Sequence, residues 1–190
     1  NPNLKAERAR SIDLTYTGYL SEDWGYEASV YYNRISDAIL TQNIDANTVQ
    51  NRNSGRVDYT GLDLGVNGLI LNEVKVGLSY SLIHSDVKDK DVGKVTGLPT
   101  QTVMGWVTYT PWQPLSLTLS EEARSSSYSN SDGSQKAGGF AVTNVRADYE
   151  IAKGLSVNAS VNNVFDTAYA YTEGFVEEGR NYWAGIEYKF

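Results

Sequence analysis

Cysteine is absent from this 190-residue chain, and methionine and histidine each occur once. Without cysteine, the chain can form neither a disulfide bond nor a thiolate metal site. The single histidine, His84, has no second imidazole or thiol with which to share a metal, and no Gly-x-Ser-x-Gly or comparable arrangement supplies a catalytic nucleophile. We therefore expect no enzymatic activity, no bound metal and no cofactor.

Long apolar runs and clustered positive charge are also missing. No run reaches the roughly 18 residues that a membrane helix needs, and the mean hydropathy is −0.41. This value does not exclude a membrane barrel, whose strands carry their lipid-facing residues in alternation. The net charge is −7 and no cluster of Lys and Arg is visible along the sequence, which argues against nucleic acid as a partner.

Apolar and small polar residues alternate through much of the chain, with the period of two that a β-strand requires. For example, Val74, Val76 and Leu78 share one face, and Lys75 and Ser79 share the other. No apolar pattern with the helical period is long enough to predict a helix. The sequence therefore predicts an all-β antiparallel up-and-down meander that forms part of a transmembrane β-barrel. Nine strands are predicted, at residues 7–20, 24–41, 52–70, 73–86, 100–110, 114–128, 139–151, 154–165 and 179–190.

The connections between these strands alternate between short turns and longer polar loops. Outer-membrane barrels have short periplasmic turns and longer external loops, so the two sets predict the two sides of a membrane. Bacterial single-chain barrels have an even number of strands, and we therefore expect nine strands to be only part of a barrel. The short turns are predicted at residues 21–23, 71–73, 111–114 and 152–154.

Four segments, in order along the chain, resemble motifs of TonB-dependent outer-membrane receptors. They are NPNLKAE at 1–7, NSGRVDYTGLDL at 53–64, VNNVFDTAYAY at 161–171 and EEGRNYWAGIEYKF at 177–190, with Ala6, Asp63 and Val164 as departures from the usual residues. The resemblance implies that the chain is the C-terminal portion of a barrel of about 22 strands, without the N-terminal plug and the first strands. The whole receptor would lie in the bacterial outer membrane and import a scarce ligand, most often a ferric siderophore.

The same resemblance implies the partners and an assembly signal. The receptor would contact outer-membrane lipid and, through regions outside this chain, the TonB energy-coupling complex. Gly185, Tyr188 and Phe190 resemble the C-terminal signal that the barrel assembly machinery recognises. This chain alone would supply only wall and loops, so we do not expect it to transport.

Tyrosine and tryptophan are abundant, with 14 Tyr and 4 Trp in the chain. Rings with a polar end are enriched where a membrane meets water, which predicts an interfacial aromatic girdle near the strand ends. A platform for stacking sugars is the alternative. The predicted girdle consists of Trp24, Tyr26, Tyr109, Trp112, Tyr149, Tyr182 and Tyr188.

One predicted external loop, YTEGFVEEGR, combines Glu173, Glu177 and Glu178 with Arg180. External loops commonly carry function, so these side chains are candidates for contacting a ligand or a cation at the outer mouth. Alternatively, Arg180 simply pairs with one of the carboxylates.

A second loop, DVKDKDVGK, contains Asp86, Asp89 and Asp91. Its glycine comes too early and a threonine stands where an EF-hand needs glutamate, so a solvated loop is expected instead of a calcium site.

Two other functions stay open. The odd strand number is compatible with a small pore that a second copy or a partner completes. The Tyr and Trp content is compatible with a soluble carbohydrate-binding β-sandwich. The identity of the ligand is not indicated, because only four external loops are present in this sequence.

Overall fold

A computed structural model describes residues 1–45, 47–53, 55–88 and 93–189. Phe190, the last residue of the predicted assembly signal, lies outside these ranges, as do Asp89 and Asp91 of the calcium alternative. Within the described ranges, no helix has the length and apolarity needed to cross a membrane.

Nine antiparallel strands form a single sheet, and three two-stranded hairpins lie in the connections between them. The order in the sheet is β1-β2-β5-β6-β7-β8-β11-β12-β15, so each strand pairs with the next long strand along the chain. The strands are β1 (Arg8–Ser21), β2 (Trp24–Ser36), β3 (Ile39–Asp45), β4 (Thr48–Asn53), β5 (Arg56–Ile70), β6 (Val74–Val87), β7 (Gln101–Trp112), β8 (Leu115–Arg124), β9 (Ser127–Tyr128), β10 (Lys136–Ala137), β11 (Phe140–Ala152), β12 (Leu155–Asn162), β13 (Ala170–Thr172), β14 (Phe175–Val176) and β15 (Asn181–Tyr188).

The prediction of nine sheet strands in an up-and-down meander is confirmed, whereas the three hairpins β3-β4, β9-β10 and β13-β14 were not predicted. The second strand was expected to run to residue 41 but ends at Ser36. Asp37 has a φ of 54°, which turns the chain out of the sheet, and Ile39 then begins the first hairpin. Because the hairpin strands also have β-type sequences, the sequence pattern alone did not show the break.

Strand register places most of the apolar residues of the nine strands on one face of the sheet. Leu14 lies opposite Val30, which lies opposite Leu62, and the alternation of each strand extends this pairing along its length. Asp63 and Ser81 lie opposite each other on the other face, where the Ser81 hydroxyl donates to the Asp63 carboxylate at 2.5 Å. We call these the apolar face and the polar face.

The polar face also carries large aromatic rings, which the description of this face as small and polar missed. Two of these rings, Trp106 and Tyr31, each cover a glycine on the neighbouring strand. A Cβ on Gly77 would lie 2.4 Å from Trp106 Nε1, and one on Gly61 would lie 2.1 Å from the Tyr31 ring. These glycines are therefore required by close packing across the sheet, where an aromatic ring takes the place of their missing side chain.

Almost none of the apolar surface is covered by protein. Among the described residues, the buried apolar side chains are Ala38, Val57, Ala137 and Val142. Leu14 on the first strand is 71% exposed and Ile186 on the last is 77% exposed. No second sheet packs on the long sheet within the described ranges, so the soluble β-sandwich alternative does not fit this fold.

We expect Leu78→Arg to destabilise the folded barrel by about 2–4 kcal/mol, because it places a guanidinium on the apolar face at the depth of the lipid. The matched control is Ser79→Arg, one residue along the same strand on the polar face, and it should have a much smaller effect. The free energy of unfolding is measured in lipid vesicles on the receptor that carries this sequence. Equal losses for the two variants would contradict the assignment of the faces.

Candidate functional site

The N-terminal motif and the NSGR motif meet at Asn53. Its Oδ1 accepts the backbone N–H of Lys5 at 2.7 Å, and its Nδ2 donates to the carbonyls of Lys5 at 2.9 Å and Asp37 at 2.6 Å. The Glu7 carboxylate accepts the N–H of Ile39 at 2.6 Å. The N-terminal segment is thus held against the first external hairpin by hydrogen bonds to backbone groups.

The remaining three long loops are joined at the same end of the sheet. The N–H of Lys94 donates to the Ser131 carbonyl at 2.6 Å, and the N–H of Gly97 donates to the Tyr128 carbonyl at 2.8 Å. The N–H of Glu173 donates to the Ser129 hydroxyl at 2.8 Å. Loops 88–100, 125–139 and 163–180 are therefore linked, at least in their described parts, around the mouth of the polar face.

Asn163 organises the loop over residues 163–180. It is 2% exposed and has a left-handed φ of 51°. Its N–H donates to Asn144 Oδ1 at 3.0 Å, its Oδ1 accepts the Thr167 N–H at 2.8 Å, and its Nδ2 donates to the Thr167 carbonyl at 2.9 Å. A further contact from Nδ2 to the Glu178 carbonyl, at 3.4 Å, closes the loop. One buried amide thus ties both ends of the loop to the sheet.

Arg180 has a structural contact, although not the one expected. Its N–H donates to Asp166 Oδ1 at 2.8 Å, and its guanidinium Nε donates to the Val164 carbonyl at 2.9 Å. No ion pair joins its guanidinium to a carboxylate among the described residues. The motifs VNNVFD and EGR are therefore joined through backbone groups rather than by charge pairing.

The three glutamates of this loop do not converge. Glu178 accepts a hydrogen bond from Asn181 Nδ2 at 3.1 Å, Glu177 donates its N–H to the Tyr169 carbonyl at 2.9 Å, and Glu173 reaches the neighbouring loop. In the described part of the chain, no group of three or more His, Cys, Asp or Glu side chains could hold a metal ion. The predicted contact of Glu173, Glu177, Glu178 and Arg180 with a ligand stays a prediction.

The loop instead brings aromatic side chains together above the polar face. The ring centroids of Phe140 and Tyr169 are 4.6 Å apart, and those of Phe140 and Tyr171 are 5.2 Å apart. The Arg124 guanidinium carbon lies 4.7 Å from the centroid of Tyr171, a cation–π distance. Arg124 also pairs with Glu122, which receives the Tyr171 hydroxyl at 3.4 Å.

Tyr169 and Tyr171 of this aromatic cluster line a cavity of about 430 Å³ on the polar face. That volume lies within the range of small-molecule sites. Burial, and then the Glu177 carboxylate, raises the pKa of Tyr169, while burial and then Glu122 raises the pKa of Tyr171. Both phenols are therefore neutral hydrogen-bond donors at pH 7. The cavity is lined by Thr118, Ser120, Glu122, Val142, Asn144, Val145, Arg146, Ser160, Asn162, Tyr169 and Tyr171.

The sequence contained only part of the signal for this site. Tyr169 and Tyr171 stand in the motif VNNVFDTAYAY, which carries the resemblance to the family but does not by itself predict a site. Arg124 and Phe140 are distant in sequence from that motif and become neighbours because the register pairs them with each other. That register could not be read from one sequence.

The predicted girdle residues lie on the apolar face near strand ends. The aromatic residues of this set at the short-turn ends of the strands are Trp24, Tyr26, Tyr109, Trp112, Tyr149 and Tyr188, whereas Tyr182 lies at the long-loop end. Tyr32, which was not predicted, also lies toward the long-loop end, and its hydroxyl accepts from Arg34 Nη2 at 2.6 Å. A role at the membrane interface stays a prediction for all of them.

The described part of the assembly signal lies at the last strand pair. Gly185 lies opposite Asn158 and Tyr188 lies opposite Leu155. A Cβ on Gly185 would lie 3.1 Å from Asn158 Oδ1, so glycine leaves space for that amide on the polar face. Tyr188 lies on the apolar face, and recognition of these residues by the assembly machinery stays a prediction.

The family model described as TonB dependent receptor-like, beta-barrel matches residues 1–164. The chain belongs to the TonB-dependent receptor family. This membership confirms the resemblance to the family, and the first two of the four motifs lie within the matched residues. It places the chain in the bacterial outer membrane. It also accounts for a single long meander with an uncovered apolar face.

This TonB-dependent receptor chain is similar in sequence to two proteins that transport or bind different ligands. It is 26% identical to the vitamin B12 transporter BtuB of Photobacterium profundum over 201 residues, which cover 100% of the chain and 31% of the relative. It is 30% identical to the ferric-pyoverdine BN7/BN8 receptor of Pseudomonas putida over 138 residues, covering 68% of the chain and 17% of that receptor.

Among solved structures, the copper transporter OprC superposes with a TM-score of 0.85 at 18% identity, covering 100% of the chain and 32% of OprC. This likeness supports the fold alone. The chain thus spans about a third or less of the length of each of these proteins.

Replacing Asn163 should destabilise the loop that it ties to the sheet. Asn163→Gly keeps the left-handed backbone but removes the side-chain hydrogen bonds, and we expect a loss of about 1–3 kcal/mol in the free energy of unfolding. Asn163→Ala should lose about 1–2 kcal/mol more, because alanine is strained at this φ. Chemical unfolding and limited proteolysis of loop 163–180 measure both effects. A glycine variant as stable as the parent would contradict this role.

Proposed function

We propose that the chain forms the C-terminal arc of the wall of an outer-membrane uptake receptor, and that the ligand is a ferric siderophore. The plug and the other strands of the barrel would be supplied by sequence outside these residues. The single observation that carries the proposal is the cavity on the polar face, which is lined by Tyr169, Tyr171 and Arg146. Arg124 holds the Tyr171 ring by a cation–π contact. In a receptor barrel, this face would be turned toward the interior.

The chemistry of the cavity suits an organic anion. A ferric siderophore combines an organic framework with negative charge. The tyrosine rings and the Arg146 guanidinium in the lining would provide contacts for both. The phenol groups add neutral hydrogen-bond donors. Of the named relatives, one is a ferric-pyoverdine receptor, one a vitamin B12 transporter and one a copper transporter. Family membership therefore supports uptake, and the cavity favours the siderophore among these ligands.

The two faces of the sheet would also determine how the receptor contacts lipid and its protein partners. Between Trp24 and Tyr32 on one strand there are eight residue steps, about 26 Å along the strand at the usual rise. At the usual tilt of about 40° this length crosses about 20 Å of the roughly 25 Å apolar band of a barrel. The apolar face would contact lipid, and the girdle tyrosines and tryptophans would lie at its borders. The TonB energy-coupling complex would act through the regions outside this chain. The assembly machinery would contact the closing strand at Gly185 and Tyr188.

The unpaired edges of the sheet favour a second candidate, a small pore. β1 and β15 are the two edges of the sheet, and each has one side without a partner strand. A second copy of the chain could pair with both edges and close a barrel. Conductance of the purified chain in a planar bilayer tests this candidate: discrete channel events would support it, and their absence would exclude it.

Ligand binding by the receptor that carries this sequence tests the siderophore proposal. We expect Tyr171→Ala to raise the Kd for a ferric siderophore by about tenfold, since the loss of ring and cation–π contacts is worth roughly 1–2 kcal/mol. Tyr171→Phe should retain most of the affinity, because the ring remains. The measurements are titration with a panel of ferric siderophores, cobalamin and copper, and uptake of radioactive iron by cells.

The matched control is Tyr182→Ala, which removes a tyrosine from the apolar face at the same end of the sheet. It should leave the affinity unchanged. Binding of cobalamin or copper with no binding of any ferric siderophore would contradict the assigned ligand. Equal affinities for Tyr171→Ala and the parent would contradict the assigned site.

A further inference from the structure

Four of the eight arginines of this acidic chain come together on the apolar face at the long-loop end of β1, β2 and β5. Arg10 lies directly opposite Arg34, and Arg8 lies opposite Ser36, which lies opposite Arg56. They are separated along the sequence, so inspection of the sequence showed no cluster of positive charge. We call Arg8, Arg10, Arg34 and Arg56 the arginine patch.

The arginine patch begins where the apolar residues end. On the first strand Arg10 is followed by Ile12 and Leu14, and on the second Arg34 is preceded by Tyr32 and Val30. Alternation places all of these side chains on the same face. The order along each strand is therefore arginine, then the border of the apolar band, then the band itself. Tyr32 contacts Arg34 at that border.

The positive charge of the patch is only partly neutralised by the chain. Asp58, which is 9% exposed, lies 3.1 Å from Arg34 Nε and 3.3 Å from Arg56 Nε. Arg8 and Arg10 are exposed, and no ion pair joins either of them to a carboxylate among the described residues. Asp86 lies opposite Asp58 on the neighbouring strand, where it pairs with Lys88. Asp58 is thus the one carboxylate that is ion-paired with the patch among the described residues, and it pairs with two of the four guanidinium groups. Like charges directly opposite each other on neighbouring strands are destabilising, so an anion bound beside Arg10 and Arg34 would stabilise this pair.

Arg56 shows the same lack of acceptors. Its Nε is buried, and although it lies close to Asp58, it makes no hydrogen bond there or with any other described group. A buried donor without an acceptor is unfavourable. An anion bound beside Arg34 and Arg56 would supply acceptor oxygens to this corner of the sheet.

We propose that the arginine patch binds the phosphate groups of a phosphorylated lipid in the outer leaflet. The inference rests on the proposed function in one respect, namely that the apolar face is in contact with lipid. Guanidinium groups bind phosphate through paired, charge-assisted hydrogen bonds. The acyl chains of the same lipid would lie against Ile12, Leu14 and Val30, which continue directly from the patch. This continuity of charge with apolar surface selects a lipid over a free anion.

Lipid retained during purification tests the proposal. The receptor that carries this sequence is extracted from outer membranes in mild detergent, and bound phosphorylated lipid is quantified by mass spectrometry. The test variant is Arg8→Gln with Arg10→Gln, since both side chains are exposed and their loss leaves Asp58 paired. The control, Arg52→Gln with Lys153→Gln, removes the same charge from the first hairpin and from a short turn. Heat-dependent gel migration verifies that each variant is folded.

We expect the test variant to retain about tenfold less phosphorylated lipid than the parent, as the loss of charge-assisted contacts implies, and the control to retain the parental amount. Equal retention by the test variant and the control would overturn the proposal. So would equal affinity of the purified receptor for inorganic phosphate and for the lipid, because the acyl chains would then contribute nothing. Siderophore affinity is measured on the same preparations. If the parent receptor retains the lipid but binds no siderophore, the proposed ligand is refuted and the lipid site is not.

Discussion

The apolar face of the nine-stranded sheet determines the rest of the structure, because the chain has almost no protein with which to cover it. Apolar residues recur at every second position of long strands, and register aligns them across the whole sheet. In water such a surface would drive association. In lipid it is stable, because the sheet satisfies the backbone hydrogen bonds of each inner strand from both sides. Membership of the TonB-dependent receptor family agrees with this environment.

The polar face and the loops instead hold side chains, among them Tyr169 and Tyr171, in position at the long-loop end of the sheet. Side-chain amides, not charge pairs, hold the loops. Asn53 ties the N-terminal segment to the first hairpin, and Asn163 closes the loop that carries Tyr169 and Tyr171. The motifs that resemble the family thus supply hydrogen bonds that fix the loops to the sheet. Tyr169 and Tyr171, which line the cavity, lie near Asn163 in the same loop, and Arg124, which contacts the Tyr171 ring, lies at the end of β8.

Three sequence features were sufficient to predict the fold. They are the period-two alternation of apolar residues, the alternation of short turns with long loops, and the order of the four family motifs. Every long strand alternates clearly, so all nine were found, and the positions of Ile12 and Val157 on the apolar face follow from alternation alone. The hairpins were missed because a left-handed residue such as Asp37 interrupts a strand without changing its composition. The cavity and the arginine patch depend on register between distant strands. Neither could be derived from residues read one strand at a time.

The central claim is that one face of the sheet meets lipid, and nitroxide labels along one strand test it most directly. Because the chain has no cysteine, a thiol introduced at 75, 76, 78 or 79 is the chain's only labelling site. In receptor reconstituted in vesicles, labels at 76 and 78 should collide more with oxygen, which concentrates in lipid, than with a water-soluble nickel complex. Labels at 75 and 79 should show the reverse preference. The same preference at all four positions would contradict the claim.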